Sequence, residues 1–259
     1  MDATSETPIL VEHFDDGLTK ITFNRPNQRN AMNRASRVGI IKALDECRET
    51  AKVILITGTG SAFCAGVDIK EGQVSSGDAE LDRRSNWAEV QEELRGHPAI
   101  IIAAVNGFAL GGGLTLVNVA DLAIAADEAT FGMPEIGFNM YAAMAGPSTQ
   151  LRVSNKRAAW LLLTGERIDG QKAADWGLIN RSVPAAALEE EAMALARRLA
   201  KVDIECLRAC KRMLWKVPSE VSEWSAAIAL GEATVPPLMA RSKELARIRE
   251  GSASPGTPS

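Results

Sequence analysis

The apolar run Ala99-Ile-Ile-Ile-Ala-Ala-Val105 stops at Asn106-Gly107. Shortly afterwards three consecutive glycines, Gly111-Gly112-Gly113, open a second apolar stretch that reaches Val119. A run of β-branched and small apolar residues without polar alternation reads as a strand buried on both faces, which is the mark of a parallel sheet. A parallel strand needs a crossover, and residues 112–119 read as the helix that makes it. Residues 121–126 read as the next strand. The same succession occurs upstream. Asn33 caps an amphipathic stretch to about Thr50, and Val53-Ile-Leu-Ile-Thr57 is a short buried-type strand ended by Gly58 and Gly60. The chain is therefore expected to be α/β with parallel pairing.

Around this core, residues 9–14 and 18–23 flank Asp15-Asp16-Gly17 and predict an antiparallel hairpin. Residues 155–177 read as helices. After Val183-Pro184 the pattern becomes wholly helical over 185–201, 204–215 and 219–235, with a short segment beyond Pro236-Pro237. The expected organisation is a core over 9–184, a C-terminal helical region over 185–250, and disorder at 1–8 and 251–259, where small, polar and Pro/Gly-rich residues cannot offset their ordering entropy. Residues 72–96 fit either a mobile lid or a solvated helix, with helical apolar spacing at Trp87, Val90 and Leu94.

Composition removes several classes of function. A formal charge of -4 and the lack of any Lys/Arg block argue against nucleic acid as a partner. Cys47, Cys64, Cys206 and Cys210 have no metal-ligand spacing, and His13 and His97 lie far from them, so no metal is expected. No apolar run is long enough to span a bilayer and no secretory signal precedes the core, so a cytoplasmic location is expected. There is no G-x-S-x-G elbow, no phosphate-binding G-x-x-x-x-G-K-[ST] loop, no complete G-x-G-x-x-G fingerprint and no H-E-x-x-H. Hydrolase and dehydrogenase chemistry fall away with them.

Two Gly-containing turns remain. At Gly111-Gly112-Gly113 a strand runs into a helix N-terminus, which presents free N–H groups to an anion, and the missing Cβ at Gly112 allows a close approach. Ser61-Ala-Phe-Cys-Ala-Gly-Val-Asp-Ile-Lys-Glu71 likewise follows an apolar strand, with Asp68 placed to cap a helix. Four groups of residues are informative together: Asn24-Arg25-Pro26 with Asn30-Ala31-Met32, Phe63-Cys-Ala-Gly-Val-Asp-Ile-Lys-Glu71, Ala103-Ala-Val-Asn-Gly107 with Gly111-Gly-Gly113, and Phe131-Gly-Met-Pro-Glu135. In unbroken order over roughly residues 9 to 250, they resemble the crotonase (enoyl-CoA hydratase/isomerase) superfamily.

The resemblance implies a spiral of ββα units with a C-terminal helical region, in homotrimers that often pair into hexamers. It implies an acyl-CoA substrate whose thioester oxygen sits between the backbone N–H groups of Val67 and Gly112, with no cofactor beyond the coenzyme A of the substrate. Arg25, Asn27, Arg29 and Ala31, together with Ala65, Gly66, Asp68, Ile69 and Lys70, fall where the family binds CoA. Hydratases of the family handle water with two glutamates. Here the first of these positions is Thr115 and the second is Glu135.

A single carboxylate can take a proton from one carbon of an enoyl chain and return it to another, which is Δ3,Δ2-enoyl-CoA isomerase chemistry. This is the expected reaction. Hydration by Glu135 with Thr115 as auxiliary, and acyl-CoA binding without catalysis, are the alternatives. The hydroxycinnamoyl-CoA hydratase-lyase branch is also similar and keeps only the second glutamate. It uses a C-terminal tyrosine, however, where this chain has Ile228 and Leu230; the only tyrosine is Tyr141. No aspartate between Glu135 and Asp169 suits the dehalogenase branch. Phe138, Met140, Tyr141 and Met144 are expected to line the acyl pocket for an apolar or aromatic group, with Tyr141 and Asn139 as spare polar candidates.

Overall fold

The computed structural model describes residues 7–68 and 79–252. Ile69 and Lys70 lie outside the described residues, as do 1–6 and 253–259 of the stretches 1–8 and 251–259 expected to be disordered; Gly251 and Ser252 instead close a helix. The chain divides between Lys201 and Val202 into two compact units.

The first unit holds ten described strands: β1 (Ile9–His13), β2 (Leu18–Phe23), β3 (Val53–Gly58), β4 (Ala62–Cys64), β5 (Ile100–Val105), β6 (Phe108–Leu110), β7 (Leu122–Ala126), β8 (Thr130–Gly132), β9 (Ile168–Asp169) and β10 (Arg181–Val183). Its helices are α1 (Arg34–Cys47), α2 (Ala79–Arg84), α3 (Trp87–Gly96), α4 (Gly112–Val119), α5 (Ala145–Gln150), α6 (Asn155–Thr164), α7 (Gly170–Asp175) and α8 (Leu188–Ala200). Six strands form one sheet in the order β1-β2-β3-β5-β7-β10, and four form a second in the order β4-β6-β8-β9. In the larger sheet only the β1/β2 hairpin is antiparallel. Each long strand β3, β5 and β7 hands the chain to a short strand of the second sheet, β4, β6 and β8, before a helical segment follows. This is the expected ββα spiral.

Burial explains the sequence pattern. All six residues of β5 are buried, and Ile54 and Leu55 of β3 face neighbours of the same kind. The α8 helix places Leu188, Ala192, Ala196 and Ala200, four residues apart, in one buried stripe that packs on β2, β3, β5 and β7. The small residues allow close approach to the sheet. This helix therefore belongs to the sheet unit, and the compact core runs past Val183-Pro184 to Lys201. Asn33 accepts from the Ser36 N–H at 2.9 Å and caps α1.

The structure departs from the sequence reading in three places. The short strands β4, β6 and β8 are three residues each and carry too little pattern to read alone. Residues 155–177 contain β9 between two helices, because Ile168 pairs with Phe131. In the second unit α9 (Ile204–Glu220) is followed by α10 (Trp224–Ser252), which runs through Pro236 and Pro237 without a break and forgoes two backbone donors. There Asp203 caps α9 at the Glu205 N–H (3.0 Å) and is clamped by Arg241 of α10 at 2.9 Å, which holds its carboxyl below the usual carboxylate range. Residues 79–96 form α2 and α3, and α3 packs on α1 and α4. No described helix is long and apolar enough to cross a membrane.

Gly113 sits where α4 crosses β4, and a Cβ there would overlap the Cys64 carbonyl oxygen. Helix preference favours Ala over Gly by about 1 kcal/mol, but a backbone oxygen in a sheet cannot step aside, so the overlap decides the sign. Gly113→Ala is predicted to lower the urea midpoint. Gly231→Ala in α10, where a Cβ meets nothing within 4 Å, is predicted to raise stability by about 0.5–1 kcal/mol.

Candidate active site

Two loops meet below α4. Ala65 N–H donates to the Arg29 carbonyl at 3.0 Å, Met32 N–H to Gly66 at 2.8 Å, and Asp68 N–H to Met32 at 3.1 Å. Arg25 donates to the Ala31 carbonyl and pairs with Asp68 at 3.1 Å. Asn30 is buried and accepts from Arg25 N–H while donating to Thr59 and Ala62. Arg25, Ala31, Ala65, Gly66 and Asp68 are thus one hydrogen-bonded group. Asn27 and Arg29 are exposed on its outer side, and the Arg29 guanidinium lies over the Phe108 ring, as does that of Arg167.

The Met32–Val67 bridge is parallel and uses the backbone groups of Gly66 and Asp68, so the N–H of Val67 points away from Met32. Gly112 is the first residue of α4, where an N–H has no carbonyl one turn back. The two turns touch: a Cβ at Gly66 would lie 3.4 Å from the Gly112 nitrogen. Both Val67 and Gly112 line one cavity of about 730 Å³.

Glu135 lines the same cavity. It stands on a 3₁₀ turn, Pro134–Phe138, and its Oε1 lies 2.6 Å from where a Cβ of Gly111 would be. Gly111 has φ +53 and ψ -116, a conformation open only to glycine, so the same residue shapes the turn and admits the carboxylate. Glu135 Oε2 is buried without a hydrogen-bond partner, and burial pushes the carboxyl above its ordinary value. Among the described residues the cavity's other carboxylates, Asp68 and Asp82, are ion-paired with Arg25 and Arg34. Trp87, at the start of α3, is 7% exposed, and its Nε1–H is also without a partner.

A model of the enoyl-CoA hydratase/isomerase family matches residues 13–229. The chain belongs to the enoyl-CoA hydratase/isomerase family. It is 35% identical to the hydroxycinnamoyl-CoA hydratase-lyase of Pseudomonas fluorescens over 218 residues, 78% of this chain and 79% of that protein. It is 38% identical to a probable enoyl-CoA hydratase of Mycobacterium bovis over 213 residues, 80% of each. The crystal structure of human enoyl coenzyme A hydratase domain-containing protein 3 superposes with a TM-score of 0.83 at 26% identity, covering 96% of this chain and 100% of that one.

Against this family background, several residues singled out in the sequence stand elsewhere. Met144 lines the cavity, whereas Phe138, Met140 and Tyr141 are 71%, 64% and 60% exposed and do not. Phe138 ends the 3₁₀ turn, and Asn139, with a left-handed φ of 55, caps it before Met140 and Tyr141. Asn139 itself is exposed. Thr115 is buried, and its hydroxyl donates back to the Gly111 carbonyl at 3.4 Å within its own helix. His97 is fully buried between the Leu44 carbonyl and the Ala99 N–H. The cavity walls that the sequence did not reveal are Trp87, Arg34, Arg37, Ser85 and Asn86. Only the helical spacing of Trp87 hinted at any of them.

Glu135 gives a signed prediction for stability. A carboxyl whose native pKa lies above its unfolded value contributes stability that is full at low pH and is lost as pH rises through the native pKa. Glu135→Gln is therefore predicted to raise the thermal midpoint at about pH 7 and to leave it unchanged near pH 4, by calorimetry.

Proposed function

We propose that the protein is an acyl-CoA enzyme in which the Val67 and Gly112 N–H groups hold the thioester oxygen and Glu135 moves the proton, shifting the double bond of an enoyl-CoA. The observation that carries this reading is the Glu135 carboxylate, with one oxygen unpaired, lining the same cavity as Val67 and Gly112, whose other described carboxylates, Asp68 and Asp82, are ion-paired. Glu135 takes a proton from C2 of a 3-enoyl thioester, and the charge moves through the diene to the thioester oxygen. The same carboxyl returns the proton to C4, leaving the 2-enoyl product. No water and no cofactor beyond the substrate's coenzyme A enter the balance.

The energetics suit the arrangement. A backbone donor aimed at a developing oxyanion contributes about 3 to 4 kcal/mol to the transition state. Desolvation makes Glu135 a stronger base and a better proton carrier near neutral pH. The exposed Asn27 and Arg29, with the group around Arg25 and Asp68, form the proposed CoA side of the site. The exposed Ile136, Phe138, Met140 and Tyr141, beside Leu163 on the neighbouring α6, form an apolar surface suited to the proposed trimer.

Hydration is the second reading. The unpaired Trp87 N–H favours it, because it can hold an oxygen that Thr115, turned into its own helix, cannot.

Glu135→Gln is expected to lower turnover of a 3-enoyl-CoA by about 10²–10⁴-fold while CoA esters still bind. Unchanged turnover would remove Glu135 as the base. Mass spectrometry of the product separates the reactions, since isomerisation leaves the mass unchanged and hydration adds one water. Thr115→Val is expected to keep turnover within about twofold, because the hydroxyl serves only its own helix.

A further inference from the structure

The backbone of Arg25 is fixed by its own loop. Its N–H donates to Asn30 Oδ1 at 2.8 Å, and its carbonyl accepts from the N–H groups of Gln28 at 3.0 Å and Asn30 at 2.9 Å. The loop closes through two successive left-handed residues, Arg29 with φ 50 and Asn30 with φ 55, a conformation that costs residues with a side chain free energy. From that base a single nitrogen, Nη1, donates both to the Ala31 carbonyl and to Asp68 Oδ2, the latter at 3.1 Å. The two side chains of the pair are mostly buried, at 18% and 15% exposed. Asp68 is also held by its backbone, whose N–H donates to the Met32 carbonyl at 3.1 Å.

Asp68 follows Val67 directly and lines the cavity, whereas Arg25 stands behind it and is not one of the cavity's walls. Covalent geometry alone keeps the Asp68 carboxylate within about 8 Å of the Val67 nitrogen. Its charge has the same sign as the charge that a thioester oxygen gains when the neighbouring carbon loses a proton. At an effective dielectric constant of about 20, two like charges about 10 Å apart oppose each other enough to slow a reaction about tenfold. A cation on the carboxylate removes most of that opposition. We propose that Arg25 is a positioning residue that acts through Asp68: its guanidinium neutralises the carboxylate beside Val67 and holds it off the thioester oxygen, so that the two N–H groups meet the developing charge unopposed. This role rests on the acyl-CoA reading of the cavity and serves either of the two reactions, since both place charge on that oxygen.

Kinetics with 3-hexenoyl-CoA test the role. Arg25→Met, which removes the charge and both hydrogen bonds, should lower kcat about tenfold with KM within about threefold. Arg25→Lys keeps the charge and should recover most of that loss. Combining Arg25→Met with Asp68→Asn should recover it too, although the tie between the loops is still missing; a pair that merely held the loops together would leave the double variant as slow as Arg25→Met. The carbonyl stretch of bound butyryl-CoA, ¹³C-labelled at the thioester, reads the same charge without turnover. It should rise in Arg25→Met relative to the wild-type protein and should not rise in Asp68→Asn, which decides the matter even where Arg25→Met does not fold. An unchanged kcat in Arg25→Met, no recovery in the double variant, or a carbonyl stretch that rises in Asp68→Asn overturns the role of Arg25 and leaves the acyl-CoA reading standing. A wild-type protein that binds no acyl-CoA overturns both.

Discussion

The contact between two backbone turns, Gly66-Val67 and Gly111-Gly112, is the constraint on which the rest of the site depends. Parallel pairing of β4 with β6 brings the ends of two successive ββα units together, and the register slips between Ala62 and Cys64 just before the chain leaves the sheet. An irregularity there re-aims the following residues, as bulges beside functional sites do. The Met32 bridge then fixes which way Val67 faces, and the start of α4 fixes Gly112. Neither proposed donor is a side chain. The positions therefore tolerate a change of side chain at Val67, while Gly111 and Gly113 are held by conformation and contact.

Around that pair of N–H groups the fold leaves two polar atoms unsatisfied, an acceptor on Glu135 and a donor on Trp87. Each is unfavourable for stability. Unsatisfied groups of opposite hydrogen-bonding character on one cavity are the pattern expected where function is built at the expense of folding. By contrast, Asn30, Asp68 and His97 satisfy their polar groups within the protein and serve to hold the loops.

Much of this was legible in the sequence because the long strands carry their own pattern. The all-apolar β5 and the Gly112–Val119 helix follow from periodicity and glycine placement, and the family followed from four motifs in order. The acyl pocket was less legible. Phe138, Met140 and Tyr141 look like pocket residues by composition, yet they stand exposed around the left-handed Asn139, a conformation that composition does not announce. Trp87 reads as one apolar position of an amphipathic helix, and nothing in its spacing says that its N–H would face Gly112. The three-residue strands were invisible for a simpler reason: their pairing is decided by distant residues.

The most direct measurement is isotope-edited infrared spectroscopy of butyryl-CoA labelled with ¹³C at the thioester carbonyl. If the Val67 and Gly112 N–H groups both donate to that oxygen, the carbonyl stretch of the bound ester moves to lower frequency than in water. A bound ester whose carbonyl frequency stays at its aqueous value, or rises as in an apolar solvent, would contradict the placement of the thioester between the two turns.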